Sequence, residues 1–246
     1  MKLIKNVHGN TVDYLGSAIV AGRFGVSGLI PPEPLLCEEL GVSRTVVRES
    51  VKSLVAKGLI QTGPKVGTRV RPSGQWNWFD AQVIGWQAKA GLTAEFIRDI
   101  QDLRLIVEPA ATRLAADRAT DEDIAAIEAA YAGMVDAVEN NGDYVKFDLR
   151  FHQGMIRASH NRMLEQMDQA LGALLRTSFE ISTVKKNGPR NSLPMHRAVL
   201  DAVIAHDADL AQDAIMLLIE DAHRDMVQVL KARRRMPTTR GAARAR

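Results

Sequence analysis

The feature that most constrains this chain is a pair of short helical segments joined by a glycine turn at Gly41. Pro34 suits the first turn of a helix, where a missing backbone N–H costs nothing, and Gly41 suits the C-terminal cap of the same helix. Ser43 is a suitable N-cap for the second helix. The second helix carries an apolar stripe that consists of Val47, Val51, Leu54 and Val55. This spacing predicts a helix-turn-helix.

Two short strand-like runs follow the helix pair, and they flank the turn Gly63-Pro-Lys-Val-Gly67. This pattern predicts a β-hairpin with Lys65 near its tip. A further helix is predicted over residues 11–22, where apolar residues recur with helical spacing. A helix, a helix-turn-helix and a hairpin in this order predict a winged helix-turn-helix domain of the α+β class over residues 6–72.

The formal charge is distributed unevenly along the chain, although the net charge is only +3. Residues 1–72 are basic, residues 73–229 are acidic and residues 230–246 are basic again. A basic head on an acidic body is typical of a DNA-binding protein with a separate regulatory domain. The sequence therefore predicts double-stranded DNA as a partner.

The candidate DNA contacts lie in the second helix and the hairpin, and they are Ser43, Arg44, Thr45, Arg48, Lys65 and Gly67. Arg44 and Arg48 lie on the early turns of a helix whose N-terminal end can enter the major groove. Their guanidinium groups suit bidentate hydrogen bonds to guanine. Ser43 and Thr45 suit phosphate contacts, and the hairpin would approach the minor groove or the backbone.

The rest of the chain predicts a helical body. Residues 72–80 carry two of the three tryptophans, so we interpret 73–92 as a linker with docking side chains. Residues 93–232 have helical periodicity between turn-forming breaks, which predicts an all-α antiparallel bundle for ligand binding and dimerisation. Residues 233–246 are basic and have few large apolar side chains, which predicts a disordered tail.

Cysteine usage and hydropathy exclude several classes of protein. The single cysteine, Cys37, excludes an intramolecular disulfide framework and is compatible with a reducing compartment. The N-terminal residues lack the apolar core of a signal peptide, and no apolar run is long enough to span a bilayer. We therefore expect a soluble, cytoplasmic protein without a membrane partner.

One polar constellation in the body has the residue types of a binding site. Asp148 and His152 are four residues apart and share a helix face, and His196 and Arg104 lie on other helices of the bundle. Imidazole and carboxylate ligands suit a divalent ion such as zinc. A hydrogen-bonded Asp–His pair that stabilises the core explains the same spacing. Arg104 suits either an ion pair with Glu108 or a clamp on a ligand carboxylate.

Several motifs together resemble a known family. Val42-Ser-Arg-Thr-Val-Val-Arg-Glu49 and the downstream Gly67-Thr-Arg-Val70 are similar to the GntR superfamily of bacterial transcription regulators. The body resembles the branch of FadR type, which carries an FCD ligand-binding domain, on three motifs: Leu103-Arg-Leu-Ile-Val-Glu-Pro109, Asp148-x-x-x-His152 and the helix that begins near His196. The resemblance implies a dimeric repressor whose bundle binds a small carboxylic acid, often through a metal held by one Asp and three His.

Carried over residue by residue, the resemblance implies Asp148, His152 and His196 as metal ligands and effector contacts, and Arg104 as the carboxylate-binding residue. The position of the third family histidine is Leu218. His223 lies about 140° further around the helix and does not simply substitute for it. Two alternatives remain open: a metal held by three side chains and the effector, or a polar ligand bound without metal.

The sequence therefore predicts a ligand-responsive repressor, not an enzyme, which binds a palindromic operator as a homodimer. A sugar acid such as galactonate would enter the bundle and release the protein from DNA. Two alternatives are a metal-dependent hydrolase built on the helical bundle and a constitutive DNA-binding dimer without an effector. The hydrolase would need a general base beside an open metal position, and no separate motif supplies it.

Overall fold

The computed structural model describes residues 6–64 and 66–235, so the predictions for Lys65 and for residues 236–246 of the tail lie outside the described residues. The chain divides into two compact units between Ala94 and Glu95. The first unit contains the predicted helix-turn-helix and hairpin, and the second is helical. The predicted fold class is therefore confirmed.

The N-terminal unit has four helices, one 3-10 turn and a two-stranded antiparallel sheet. Its elements are α1 (Val7–Val20), α2 (Glu33–Leu40), α3 (Arg44–Ala56), β1 (Ile60–Gly63), β2 (Gly67–Val70), the 3-10 turn Ser73–Gln75 and α4 (Ala81–Ala90). In the sheet, Ile60 pairs with Val70 and Gly63 pairs with Gly67. The sheet is the predicted wing.

The predicted ends of the helix-turn-helix are confirmed. Gly41 adopts a left-handed conformation with φ of 63°, and its N–H donates to the carbonyl of Cys37 at the end of α2. Ser43 Oγ accepts a hydrogen bond from the N–H of Val46, 3.3 Å away, at the start of α3. Helix α1 begins earlier than predicted, because the side chain of Asn6 accepts a hydrogen bond from the N–H of Gly9 and caps it.

Helix α4 packs against α1 within the N-terminal unit. Trp86 is buried, and its Nε1 donates a hydrogen bond of 3.1 Å to Asp13. A Cβ atom at Gly16 would lie 2.4 Å from the Trp86 ring, so only glycine allows this approach. Residues 73–92, which we interpreted as a linker with docking side chains, thus include a helix that packs on α1.

The end of α3 is held by the segment that follows the wing. Gly58 has φ of 75°, and a Cβ atom there would lie 2.6 Å from the carbonyl oxygen of Gln75. The carbonyl of Lys57 accepts a hydrogen bond of 3.0 Å from the N–H of Asn77. Lys57 Nζ also donates to Asp80 Oδ2, 2.5 Å away. The helix with the candidate DNA contacts is therefore tied to the chain that leads into α4.

The C-terminal unit is entirely helical over the residues that the structure describes. Its helices are α5 (Ala94–Arg118), α6 (Asp121–Glu139), α7 (Tyr144–Ala158), α8 (Arg162–Ser182), α9 (Gly188–Ile204) and α10 (Ala208–Arg235). Helix α10 continues three residues into the segment predicted as a tail. None of the described helices combines the length and the apolar character that crossing a membrane requires.

The core of the C-terminal unit lies between α5, α6, α7, α9 and α10. Its largest buried side chains include Ile127, Met134, Phe151 and Met155. Gly154 allows α7 to approach α6 closely, because a Cβ atom there would lie 2.7 Å from Ile127. This packing fixes the rotation of α7 and determines which of its side chains face the interior.

Candidate functional site

The structure brings together the four residues that the sequence analysis selects in the body. Asp148 and His152 lie on the buried face of α7, which begins where Asp143 accepts a hydrogen bond from the N–H of Lys146. His196 lies on α9 and Arg104 on α5, and both side chains are buried. One carboxylate, two imidazoles and one guanidinium thus share the interior of the unit.

Asp148 is the centre of the cluster. Its Oδ1 lies 3.0 Å from Nε2 of His196 and 3.4 Å from Nε2 of His152. One oxygen or nitrogen atom from each of these three residues lies within 4.8 Å of the others, so the three side chains are able to hold a metal ion. Both imidazoles therefore present the same nitrogen to one carboxylate.

The other nitrogen of each imidazole is engaged by an acceptor. Nδ1 of His196 donates to the carbonyl oxygen of Ser192, 2.9 Å away. Nδ1 of His152 is hydrogen-bonded to the carboxylate of Glu108. With Nδ1 protonated, a neutral imidazole has a lone pair on Nε2, and both lone pairs would face Asp148. The arrangement therefore requires a cation at this point, either a proton on Nε2 or a metal ion.

The charges around His152 favour positive charge in the cluster. Burial lowers the pKa of His152, but the Glu108 and Asp148 carboxylates outweigh burial and raise it to about 9. Burial raises the pKa of Glu108, but Arg104 and His152 outweigh it and lower the pKa to about 2. The pKa of Asp148 is held below its usual range by His152 and His196, against the effect of burial.

Arg104 forms the ion pair with Glu108 that its position predicts, and the clamp on a ligand carboxylate stays a prediction. Its Nε donates to Glu108 Oε1 at 2.6 Å, and its Nη1 donates to Ser178 Oγ at 3.0 Å. Its guanidinium carbon lies 5.0 Å from the centre of the Phe179 ring. The ion pair with Glu108 is formed, and Arg104 also lines the pocket beside the Asp–His cluster.

Glu108 is the member of this cluster that the sequence analysis does not assign to the site. Its two carboxylate oxygens join Arg104 to His152, and the side chain is only 4% exposed. The sequence gives its spacing from Arg104, but its contact with His152 joins residues 44 positions apart. A glutamate on the same helix face as a candidate ligand-binding arginine is the signal that points to it.

The cluster opens on a pocket of about 410 Å³, including the space at its mouth. Helices α5 and α7–α10 contribute to its lining, with Arg104, Asp148, His152 and His196 at the cluster. Leu218 from α10 lines the pocket and is buried, so the position at which the resemblance implies a third histidine presents an apolar side chain here. His223 does not line this pocket, in agreement with its position around the helix.

In the N-terminal unit, the candidate DNA contacts are accessible. Ser43, Arg44, Thr45 and Arg48 are exposed at the start of α3. Gly67 has φ of 69° at the hairpin turn, a conformation that favours glycine. Arg69, which the sequence analysis does not select, donates to the carbonyls of Ser27 and Val66 at 2.9 Å and 3.1 Å and anchors the wing.

Comparison with protein families gives two matches that together span most of the chain. Residues 9–70 match the model described as bacterial regulatory proteins of the gntR family. Residues 99–221 match the FCD domain. The structure divides the chain between Ala94 and Glu95, within the interval 71–98 that separates the two matches.

Known proteins give the same assignment. The chain is 34% identical to the galactonate operon transcriptional repressor of Escherichia coli K12 over 217 residues, which cover 87% of this chain and 94% of the relative. It is 28% identical to the Glc operon transcriptional activator of the same organism, covering 83% and 84% of the two chains.

Solved structures support the fold. A Listeria monocytogenes protein called Lar, described as controlling the agr system, superposes with a TM-score of 0.66 at 17% identity, covering 92% of this chain and 99% of that one. The E. coli protein McbR/YncC superposes with a TM-score of 0.53 at 17% identity, covering 94% and 100%. The chain therefore belongs to the GntR family of bacterial transcriptional regulators, with an FCD domain as its C-terminal unit, and is not an enzyme.

Proposed function

We propose that this regulator is a repressor that binds a palindromic operator as a homodimer and leaves it when a sugar acid such as galactonate binds the FCD domain. The name of the E. coli relative supports the sugar acid, because that protein regulates a galactonate operon and is 34% identical to this chain. The observation that carries the proposal is the buried cluster of Arg104, Asp148, His152 and His196, which opens on a pocket.

The cluster suits a carboxylate ligand. Arg104 supplies a guanidinium group that can donate hydrogen bonds to a carboxylate in a buried setting, where such bonds are strong. Glu108 and Ser178 hold Arg104 on two of its nitrogens, so the guanidinium is oriented before the ligand arrives. A preoriented group loses little conformational entropy on binding.

A divalent cation is part of the proposal, and Asp148, His152 and His196 would hold it. Their donor set fits, because both imidazoles have Nδ1 engaged by an acceptor and present Nε2 to the carboxylate. Nitrogen and carboxylate ligands of this kind suit zinc or a similar ion. When bound, the ion supplies positive charge and open coordination positions for the effector carboxylate. Leu218 leaves such a position free of a fourth protein ligand.

In the N-terminal unit, Arg44 and Arg48 would read guanines in the major groove, while Ser43, Thr45, Lys65 and Gly67 would position the unit on the backbone. Release from DNA requires that the effector binds two conformations of the dimer with different affinity. The distance between the two operator half-sites must match the distance between the two recognition helices of the dimer. A small change in the placement of the two DNA-binding units therefore weakens operator binding.

The assignment to a family of transcriptional regulators excludes the alternative of a metal-dependent hydrolase. The constitutive alternative differs from the proposal in one measurable respect, which is the response to a ligand. An operator is first selected from randomised duplexes with the purified protein, and a gel-shift titration then measures its affinity with and without galactonate and zinc. We expect galactonate to release the protein from its operator. An operator affinity that stays unchanged over millimolar galactonate would support the constitutive alternative.

A further inference from the structure

One face of α10 lines the pocket over two turns of the helix. The lining residues are Leu218, Asp221, Ala222 and Asp225, which recur with helical spacing and therefore share that face. Seven residues of helix span about 10 Å. The pocket thus has an apolar section at Leu218 and carboxylates at Asp221 and Asp225, whereas Arg104 and the two histidines line it from other helices.

The two carboxylates on α10 have compensated charge. Asp225 is 8% exposed and forms an ion pair through Oδ1 with Lys185. Asp221 accepts a hydrogen bond of 2.8 Å from Arg224 through Oδ1. Each carboxylate therefore has a cationic partner on Oδ1, which leaves Oδ2 as a further oxygen that can accept a hydrogen bond from a ligand.

A hydroxyl pair lines the same pocket. Ser192 Oγ donates to the carbonyl of Pro189 at 2.9 Å, so the phenol of Tyr144 donates to Ser192 Oγ at 2.7 Å. Burial raises the pKa of Tyr144, and the nearby Asp148 adds to this, so the phenol stays protonated. With its hydrogen directed at Ser192, the Tyr144 oxygen is left as an acceptor toward the pocket.

These acceptors point to a specific class of ligand. We infer that Asp225, Asp221 and Tyr144 are specificity-determining residues that accept hydrogen bonds from the hydroxyl groups of a polyhydroxylated carboxylate. This inference rests on the proposed function, which places the effector carboxylate at Arg104 and the Asp–His cluster. A ligand ammonium group would be drawn to a carboxylate without a cationic partner, but Asp225 is paired with Lys185 and Asp221 with Arg224. A carboxylate that already has a cationic partner is better suited to accept a hydrogen bond from a neutral hydroxyl group.

The number of these acceptors bears on which ligand fits. A three-carbon hydroxy acid such as lactate has one hydroxyl group to donate, whereas a six-carbon aldonate has five along its length and can donate to acceptors on both turns of α10. We therefore expect the pocket to bind the longer acid more tightly. Discrimination of this kind is strong when a site is built to bond hydroxyls, because the shorter ligand leaves buried acceptors such as Asp225 and Tyr144 unpaired.

The test is isothermal titration calorimetry on the full chain with zinc, using D-galactonate, L-lactate and L-lysine as probes. Wild-type protein is expected to bind galactonate at least about tenfold more tightly than lactate or lysine. Asp225→Asn and Tyr144→Phe should each lower the affinity for galactonate about tenfold, which is the effect of one lost hydrogen bond in a buried site. Neither variant should change the affinity for lactate. Asp213→Asn, an exposed position on α10, is the matched control.

The outcomes separate this inference from the proposed function. If wild-type protein binds none of the three probes, the proposed effector class is wrong and the inference with it. If galactonate and lactate bind equally, or if Asp225→Asn and Tyr144→Phe bind galactonate like wild type, the hydroxyl assignment alone is overturned. Tighter binding of lysine than of galactonate would also overturn it. Circular dichroism checks that each variant is folded.

Discussion

Glu108 and His152 are joined by a buried hydrogen bond between a carboxylate on α5 and Nδ1 of an imidazole on α7. The same carboxylate holds Arg104 through its other oxygen. The candidate carboxylate-binding group and the candidate metal ligand are therefore oriented by one side chain, and the orientation of the imidazole leaves Nε2 directed at Asp148. Such outer contacts fix the tautomer and raise the basicity of a ligating histidine.

Glu108→Gln should weaken zinc binding by about 10–100-fold, the usual effect of removing such a contact. A neutral amide cannot accept from both Arg104 and His152 with the same strength, so His152 loses its orienting anion. The measurement is a zinc titration against a competing chelator. Glu95→Gln, at an exposed site on the same helix, should leave zinc affinity unchanged. Equal zinc affinity in Glu108→Gln and wild type would remove Glu108 from this role.

Zinc should raise the thermal stability of the FCD unit, because a ligand that binds only the folded state stabilises it. The gain is about 2.7 kcal/mol when the free ion is at 100 times its dissociation constant. A chelator should remove this gain in stability. His196→Ala should show no zinc-dependent shift, whereas His206→Ala, which lies outside the cluster, should keep it. A shift of the same size in His196→Ala would place the ion elsewhere.

Arg44→Ala should reduce discrimination between operator and mutated operator by about 1–3 kcal/mol, because one bidentate guanine contact is lost. The fold should be unaffected, since Arg44 is exposed at the start of α3. Gel-shift titrations on matched and mismatched duplexes measure the effect. Arg23→Ala, which changes the same charge outside α3 and the wing, serves as control. Unchanged operator affinity and selectivity in Arg44→Ala would contradict the assignment of α3 as the recognition helix.

Gly58→Ala should destabilise the N-terminal unit by about 2–3 kcal/mol, because it combines a left-handed backbone with a clash against the Gln75 carbonyl. Gly22→Ala is the matched control: φ is 70° there, but the Cβ atom meets no atom within 4 Å. Its cost should be about 1 kcal/mol. Urea unfolding followed by tryptophan fluorescence reports on this unit, since all three tryptophans lie in it. Equal losses in the two variants would show that the contact with Gln75 contributes nothing.

Local rules predicted the helix-turn-helix well. Gly41 and Ser43 end and begin helices through contacts within a few residues, so their roles can be read from the chain. The packing of α4 could not be predicted in this way. Trp86 meets Gly16 and Asp13 across about 70 positions, and no local pattern encodes that contact.

The same limit applies to the candidate site. Spacing places Asp148 and His152 on one face of a helix, residue type adds His196 and Arg104 as candidates, and the resemblance to a family implies a role for each. The role of Glu108 and the acceptors on α10 depend on how five helices pack around one pocket. Sequence periodicity indicates which face of each helix is buried, but it does not determine which buried faces meet.

The most direct test of the account is release from DNA by a sugar acid in wild-type protein and in Asp148→Asn. Galactonate with zinc is added to the protein on its selected operator, and bound DNA is measured by gel shift. We expect release of wild type and of the control Asp213→Asn, and continued binding by Asp148→Asn with unchanged affinity in the absence of effector. Normal release of Asp148→Asn by galactonate would contradict the claim that the buried cluster receives the effector.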